Sequence, residues 1–150
     1  MLLLTSINLT LKIGKMLKLK VNTDQEAFDM AYSAIVEQGC ASVDNMDVCS
    51  YRGKNNTACP IGHLLECDEE ERGNLDRSSL NGTSYGIEGL VNREIVDNGN
   101  VNVSLLVDIQ RAHDISAPKK LFSRNFVTRF RKRMMEVAKY RQLSVNIMNQ

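Results

Sequence analysis

All four cysteines and both histidines of this chain fall between positions 40 and 113. These are the residue types that ligate a soft metal ion or exchange a proton near neutral pH. Cys49, Cys59, His63 and Cys67 are separated by nine, three and three residues. Their thiolate and imidazole donors suit tetrahedral zinc, although the paired C-x2-C knuckles of common structural sites are absent. A helix running from 59 to 67 puts the last three on one stripe. Cys49, Cys59 and His63 are therefore the candidate metal ligands, with zinc the candidate ion. The competing reading packs Cys49 and Cys59 as small hydrophobes and leaves His63 on a helix surface.

His113 and Asp114 form a second constellation, with Gln110 one helical turn earlier. A histidine there can act as base, as ligand, or as a cap at a helix C-terminus. As a catalytic pair, His113 and Asp114 suit a small hydrolase, with or without metal, provided that His113 approaches His63 or Cys59 in space. The Tyr51-Arg52-Gly53 turn offers a guanidinium that can clamp a carboxylate or phosphate, and a glycine that lets a ligand approach the backbone. Tyr51, Arg52, Gly53, His63 and Gln110 are thus the candidate contacts for an anionic small ligand.

Charge is segregated along the chain. Residues 1–20 carry +4, residues 21–118 carry −11 and residues 119–150 carry +8, behind a net charge of +1. Near the C-terminus Arg124, Arg129, Arg131, Lys132 and Arg133 spread over the side of a helix opposite Phe126, Phe130 and Val137. Such a face can meet nucleic-acid phosphates without reading bases, and it lacks the aromatics that stack single strands. The alternatives are a solvated face, or one that lies against the acidic middle of the same chain.

The elements that must hold these residues are mostly helical. With 150 residues, 43% hydrophobic and 25% charged, the chain can bury a core without disulfides or metal. Aromatics make up only 5% and Trp is absent, so Leu, Ile, Val and Met must fill that core. No apolar run reaches the roughly 20 residues that cross a bilayer. Thr23 and Glu26 have capping-box form ahead of Phe28, Ala31, Tyr32 and Ile35, with Gly39 as the stop. Pro60 opens a short helix through Ile61, Leu64 and Leu65. Ser104 can cap a helix ending near Asp114, and Ser123 can cap the last one. Residues 49–59 read as a β-hairpin, and residues 68–104 as irregular surface with a short helix or strand near 90–96.

Residues 9–21 alternate as a half-exposed strand or hairpin turning at Gly14-Lys15, and Met16 reads as an internal start. Residues 1–20 are therefore an extension or edge strand, and 21–150 a single domain with a basic closing helix at about 123–142. The expected fold is a compact, mainly helical α+β domain with a small hairpin. No basic n-region or cleavage site marks a secretory signal, so the cysteines are expected to stay reduced in a cytoplasm.

Cys49-Ser50-Tyr51-Arg52-Gly53 followed by Cys59-Pro60-Ile61-Gly62-His63-Leu64-Leu65 resembles small uncharacterised proteins of tailed phages and prophages. Those carry a C-x-Y-R-G…C-A-x-G-x-L-I pattern ahead of an acidic stretch. The likeness extends to Gln25-Glu26-Ala27-Phe28, to Ile87-Glu88-Gly89, and from Leu106 through Gln110, His113 and Asp114. It covers residues 22–115, and more loosely the closing helix. Pro60 stands where Ala is usual and Cys67 near the usual proline, which weakens any zinc site that needs Cys67. The resemblance implies phage origin without an established reaction. It leads to the expectation of an accessory protein in the host cytoplasm that binds a host protein or other component, or a nucleotide-like ligand. The alternatives are the small hydrolase and the phosphate-contacting basic helix.

Overall fold

A computed structural model describes residues 16–77, 86–117 and 125–150. It begins with a short strand, β1 (Leu17–Lys18), followed by α1 (Asp24–Gln38). The Thr23 hydroxyl accepts the Glu26 N–H at 3.1 Å, satisfying one of the donors that a helix start leaves open. Gly39 ends the helix with φ at 76°, a left-handed conformation that glycine adopts without steric cost. Ala27, Phe28, Ala31, Tyr32 and Ile35 recur every three or four residues and are buried.

Proline at the first helical position opens α2 (Pro60–Leu64). The acidic segment after it is a helix, α3 (Glu69–Arg77), where an irregular surface was expected. Asp68 and Glu71 form a reciprocal cap. The Asp68 carboxylate accepts the Glu71 N–H at 2.8 Å, and the Asp68 N–H donates to Glu71 Oε1 at 3.3 Å. The chain continues through α4 (Ile87–Asn92), β2 (Val96–Asp97), α5 (Val103–Ser116) and α6 (Phe126–Arg141). Asn102 caps α5, its side chain accepting from both the N–H and the hydroxyl of Ser104, so the serine expected as cap is itself inside the first turn. The expected cap at Ser123 lies outside the described residues, as do Leu9–Ile13 and the Gly14-Lys15 turn.

β1 pairs in parallel with β2, Leu17 opposite Val96 and Lys18 opposite Asp97. Leu19 bridges Leu65 on the other side. The hairpin expected over 49–59 does not form. Arg52 and Ala58 make one isolated antiparallel bridge around a 3-10 turn, Lys54–Asn56. Pairing stops there because the Tyr51 N–H, the next ladder donor, goes to Asp76, while the Arg52 and Ala58 N–H groups point out of the ladder, to Asp76 and Gln38. The next residue but one, Pro60, already starts α2.

Among the six α-helices of the described residues α5 is the hub, packing against α1, α2, α4 and α6. It buries Leu105, Leu106, Ile109, Ala112, His113 and Ser116. α6 covers it with the buried stripe Phe126, Phe130, Met134 and Ala138. The rings of Phe126 and Phe130 stack at 5.9 Å, and His113 meets the Phe126 ring edge-on at 5.7 Å. The result is a mostly helical domain with a two-stranded parallel sheet. No helix among the described residues is long and apolar enough to cross a membrane.

Candidate functional site

The last two turns of α5 carry Gln110, His113 and Asp114. Helical periodicity puts Gln110 and Asp114, four apart, on one face and turns His113 inward to full burial. The His113 ring joins two distant parts of the chain. Its Nε2 lies 2.9 Å from the backbone N–H of Ser42, and its Nδ1 lies 2.9 Å from Asp114 Oδ1. A backbone N–H can only donate, so Nε2 must present its lone pair and Nδ1 must carry the proton toward the carboxylate. A neutral imidazole has one lone pair, and here Ser42 holds it. The Ser42 hydroxyl in turn donates to the Ser50 carbonyl at 2.9 Å, tying the 42–50 loop to the same point.

The Cys49 sulfur lies within 4.8 Å of an Asp114 carboxylate oxygen. Burial, then the Asp114 charge, push the Cys49 thiol up to about 12. Cys49 therefore stays protonated at neutral pH, whereas the nucleophile and metal ligand is the thiolate. Ligand atoms of Cys49, His113 and Asp114 all lie within 4.8 Å of one another, the one such grouping among the described residues. The donor types suit zinc. The lone-pair count does not, because a metal on Nδ1 would force Nε2–H against the N–H of Ser42.

Beside this cluster lies a pocket of about 150 Å³. Cys49, Ser50 and Tyr51 form one wall, Gln110 and Asp114 of α5 another, and Asp76 of α3, Cys59 and Gly86 complete it. Asp76 sets the first wall in place: its two carboxylate oxygens accept the N–H groups of Tyr51 and Arg52 at 2.8 and 3.0 Å. Gln110 Oε1 accepts the Ile87 N–H at 3.2 Å. Burial raises the Tyr51 phenol above its ordinary value.

The structure brings together Cys49, Tyr51, Cys59, Gln110, His113 and Asp114, and sends Arg52, Gly53 and His63 elsewhere. The Arg52 side chain leaves the pocket for Glu69, at 3.7 Å on the surface. Gly53 is glycine for packing: an added Cβ would sit 2.6 Å from Ser42 Oγ and 2.7 Å from Val43 N, and closer still to Thr57 Oγ1. His63 donates from Nε2 to Gln38 Oε1 at 2.9 Å, since the Gln38 amide nitrogen already donates to the Cys40 and Ala58 carbonyls. Burial, then Arg72 and Lys20, lower the His63 pKa to about 4. Cys59 caps α2, its sulfur accepting the Gly62 N–H at 3.3 Å. The predicted ligand trio of Cys49, Cys59 and His63 thus does not assemble, because capping and amide contacts have claimed two of its members.

The basic helix spends most of its charge internally. Arg129 donates twice to the Ser116 carbonyl, at 3.1 and 2.8 Å, where the C-terminal end of α5 favours a cation. Arg131 donates to the Met148 carbonyl at 2.7 Å, Arg133 pairs with Glu136 at 3.4 Å, and Arg141 with Asp108 at 2.8 Å. Lys132 is exposed, and Arg124 lies outside the described residues.

Ser50, Gly86 and, as the charged one, Asp76 are the pocket residues that sequence reasoning missed. The signal for Asp76 was the Asp68-x-x-Glu71 cap, which makes a helix of the segment and carries Asp76 back to the 51–52 backbone. Set against family models, curated proteins and solved structures, the chain finds no match.

Proposed function

We propose that the protein acts by binding, as a phage accessory protein that captures a host component through the pocket between the 49–51 segment and α5. The observation that carries this reading is the donation from Ser42 N–H to His113 Nε2. With that lone pair taken and Cys49 held as a thiol, neither residue can serve as base or nucleophile near neutral pH. The pocket still offers shape and hydrogen-bonding groups, which is all that capture requires. At about 150 Å³ it is the size of a cavity that admits benzene, so its guest is a group of about six heavy atoms. A protruding side group of a host macromolecule fits, whereas a whole nucleotide would enter only in part. The internal contacts of Arg129, Arg131, Arg133 and Arg141 leave the phosphate-backbone reading of α6 with little support.

The test pairs a turnover assay with binding. No phosphoester, peptide or nucleotide should be consumed, and ligand fragments of about six heavy atoms should shift the amide resonances of Cys49, Ser50 and Tyr51 saturably. Turnover that His113→Gln abolishes in a still-folded protein would replace this reading with the hydrolase.

A further inference from the structure

Resting on that binding reading, we infer that the pocket receives the charged end of a basic side chain, a guanidinium or primary ammonium group presented by a partner protein. The argument is a count of donors and acceptors. An anion needs donors, and the Ser50 hydroxyl on the lining is spent on the Arg52 carbonyl at 2.9 Å. A cation needs acceptors, and these remain. A carboxylate offers about four lone-pair sites, and among the described residues His113 occupies one of those of Asp114.

Charge points the same way. Asp76 and Asp114 line the pocket, and no cationic side chain does so among the described residues. The neighbouring arginines face elsewhere, Arg52 toward Glu69 and Arg72 toward the carbonyls of Gly62 and Cys67. Asp44 adds to the negative potential felt at Cys49. A fixed negative potential in a partly enclosed site attracts a cation more strongly than the same charges in water would.

A basic side chain suits the pocket better than a free ion, because its charged head seeks polar partners while its aliphatic stem extends out of the mouth and covers carbon. Arginine adds the planar fork that meets a carboxylate with two parallel bonds.

Four probes of about five heavy atoms each, the size the pocket admits, separate the outcomes. Methylguanidinium and n-butylammonium carry the charge, N-methylurea is neutral and propionate is anionic. In NMR titrations of the full chain, at least one cation should bind saturably at Cys49 and Asp114, and propionate should not. Asp114→Asn keeps an acceptor for His113 and should weaken the cation by about tenfold or more. Gly86→Leu supplies a second variant independent of the His113 network. A Cβ there has nothing nearer than Gln110 Oε1 at 4.0 Å, so it should block the pocket and leave the melting temperature unchanged. Preference for N-methylurea or propionate would overturn the cation and leave the binding reading standing. Failure of all four probes, or cation binding that survives both variants, would also overturn it. Only His113-dependent turnover would remove the binding reading itself.

Discussion

The backbone N–H of Ser42 donates to Nε2 of His113 at 2.9 Å across 71 positions of sequence, and this one bond fixes the ring's tautomer. The proton sits on Nδ1, facing Asp114. Long-range proton–nitrogen correlation spectra should accordingly show Nδ1 as the protonated nitrogen. His113→Ala leaves the Ser42 N–H buried without its acceptor and a ring-sized void against Phe126. Its cost should be about 3 kcal/mol in urea unfolding. An Nε2-protonated ring would return His113 to the list of metal ligands and bases.

Thiol reactivity should follow burial. Cys40 is exposed, Cys59 is buried with its thiol pushed up, and Cys49 is raised to about 12. Iodoacetamide at pH 8 should therefore label Cys40 first, with Cys49 and Cys59 protected until the chain unfolds. Peptide mapping by mass spectrometry reads the order directly. Rapid labelling of Cys49 in the folded protein would mean that its thiol is activated, and would revive nucleophilic chemistry.

His63 should confer a dependence on acid. Its pKa falls from 6.5 to about 4 on folding, because burial and nearby cations disfavour the imidazolium. The unfolded chain then takes up the proton first. The stability due to the neutral ring is present above about 6.5 and is lost as pH drops toward 4. His63→Gln should flatten the curve of unfolding free energy against pH in that window, and an unchanged slope would show that other groups set it.

Two glycines should respond differently to the same change. Gly53→Ala drives a Cβ into Ser42, Val43 and Thr57, and backbone on one side gives it nowhere to go. About 3 kcal/mol should be lost. Gly86→Ala meets nothing closer than 4.0 Å and should leave thermal unfolding where it is. Equal effects at both positions would contradict the packing around residue 53.

The helices were legible where their ends are closed by neighbours in sequence. Thr23 reaches Glu26, Gly39 turns left-handed and Pro60 starts α2, each within a single turn. The four-residue recurrence of Phe126, Phe130 and Met134 marked the buried face of α6 in the same way. The Asp68–Glu71 cap was equally local, and an acidic, glycine-punctuated context hid it. Partnerships across the fold left no such mark. The alternation at 17–21 announced a strand, and nothing in it named Val96 as the parallel neighbour of Leu17.

The site divides along the same line. Sequence supplied Cys49, Tyr51, Cys59, Gln110, His113 and Asp114 as groups able to act. Tertiary structure alone decided how each is spent, because a lone pair or a proton is allotted by whichever partner arrives from elsewhere in the chain. Ser42 takes the lone pair of His113, Asp114 accepts from its Nδ1, and Asp76 takes the Tyr51 N–H that a hairpin would have used. Residue types determine what chemistry is available. Only the packed fold, by satisfying buried donors and acceptors against one another, determines which of it remains for a ligand.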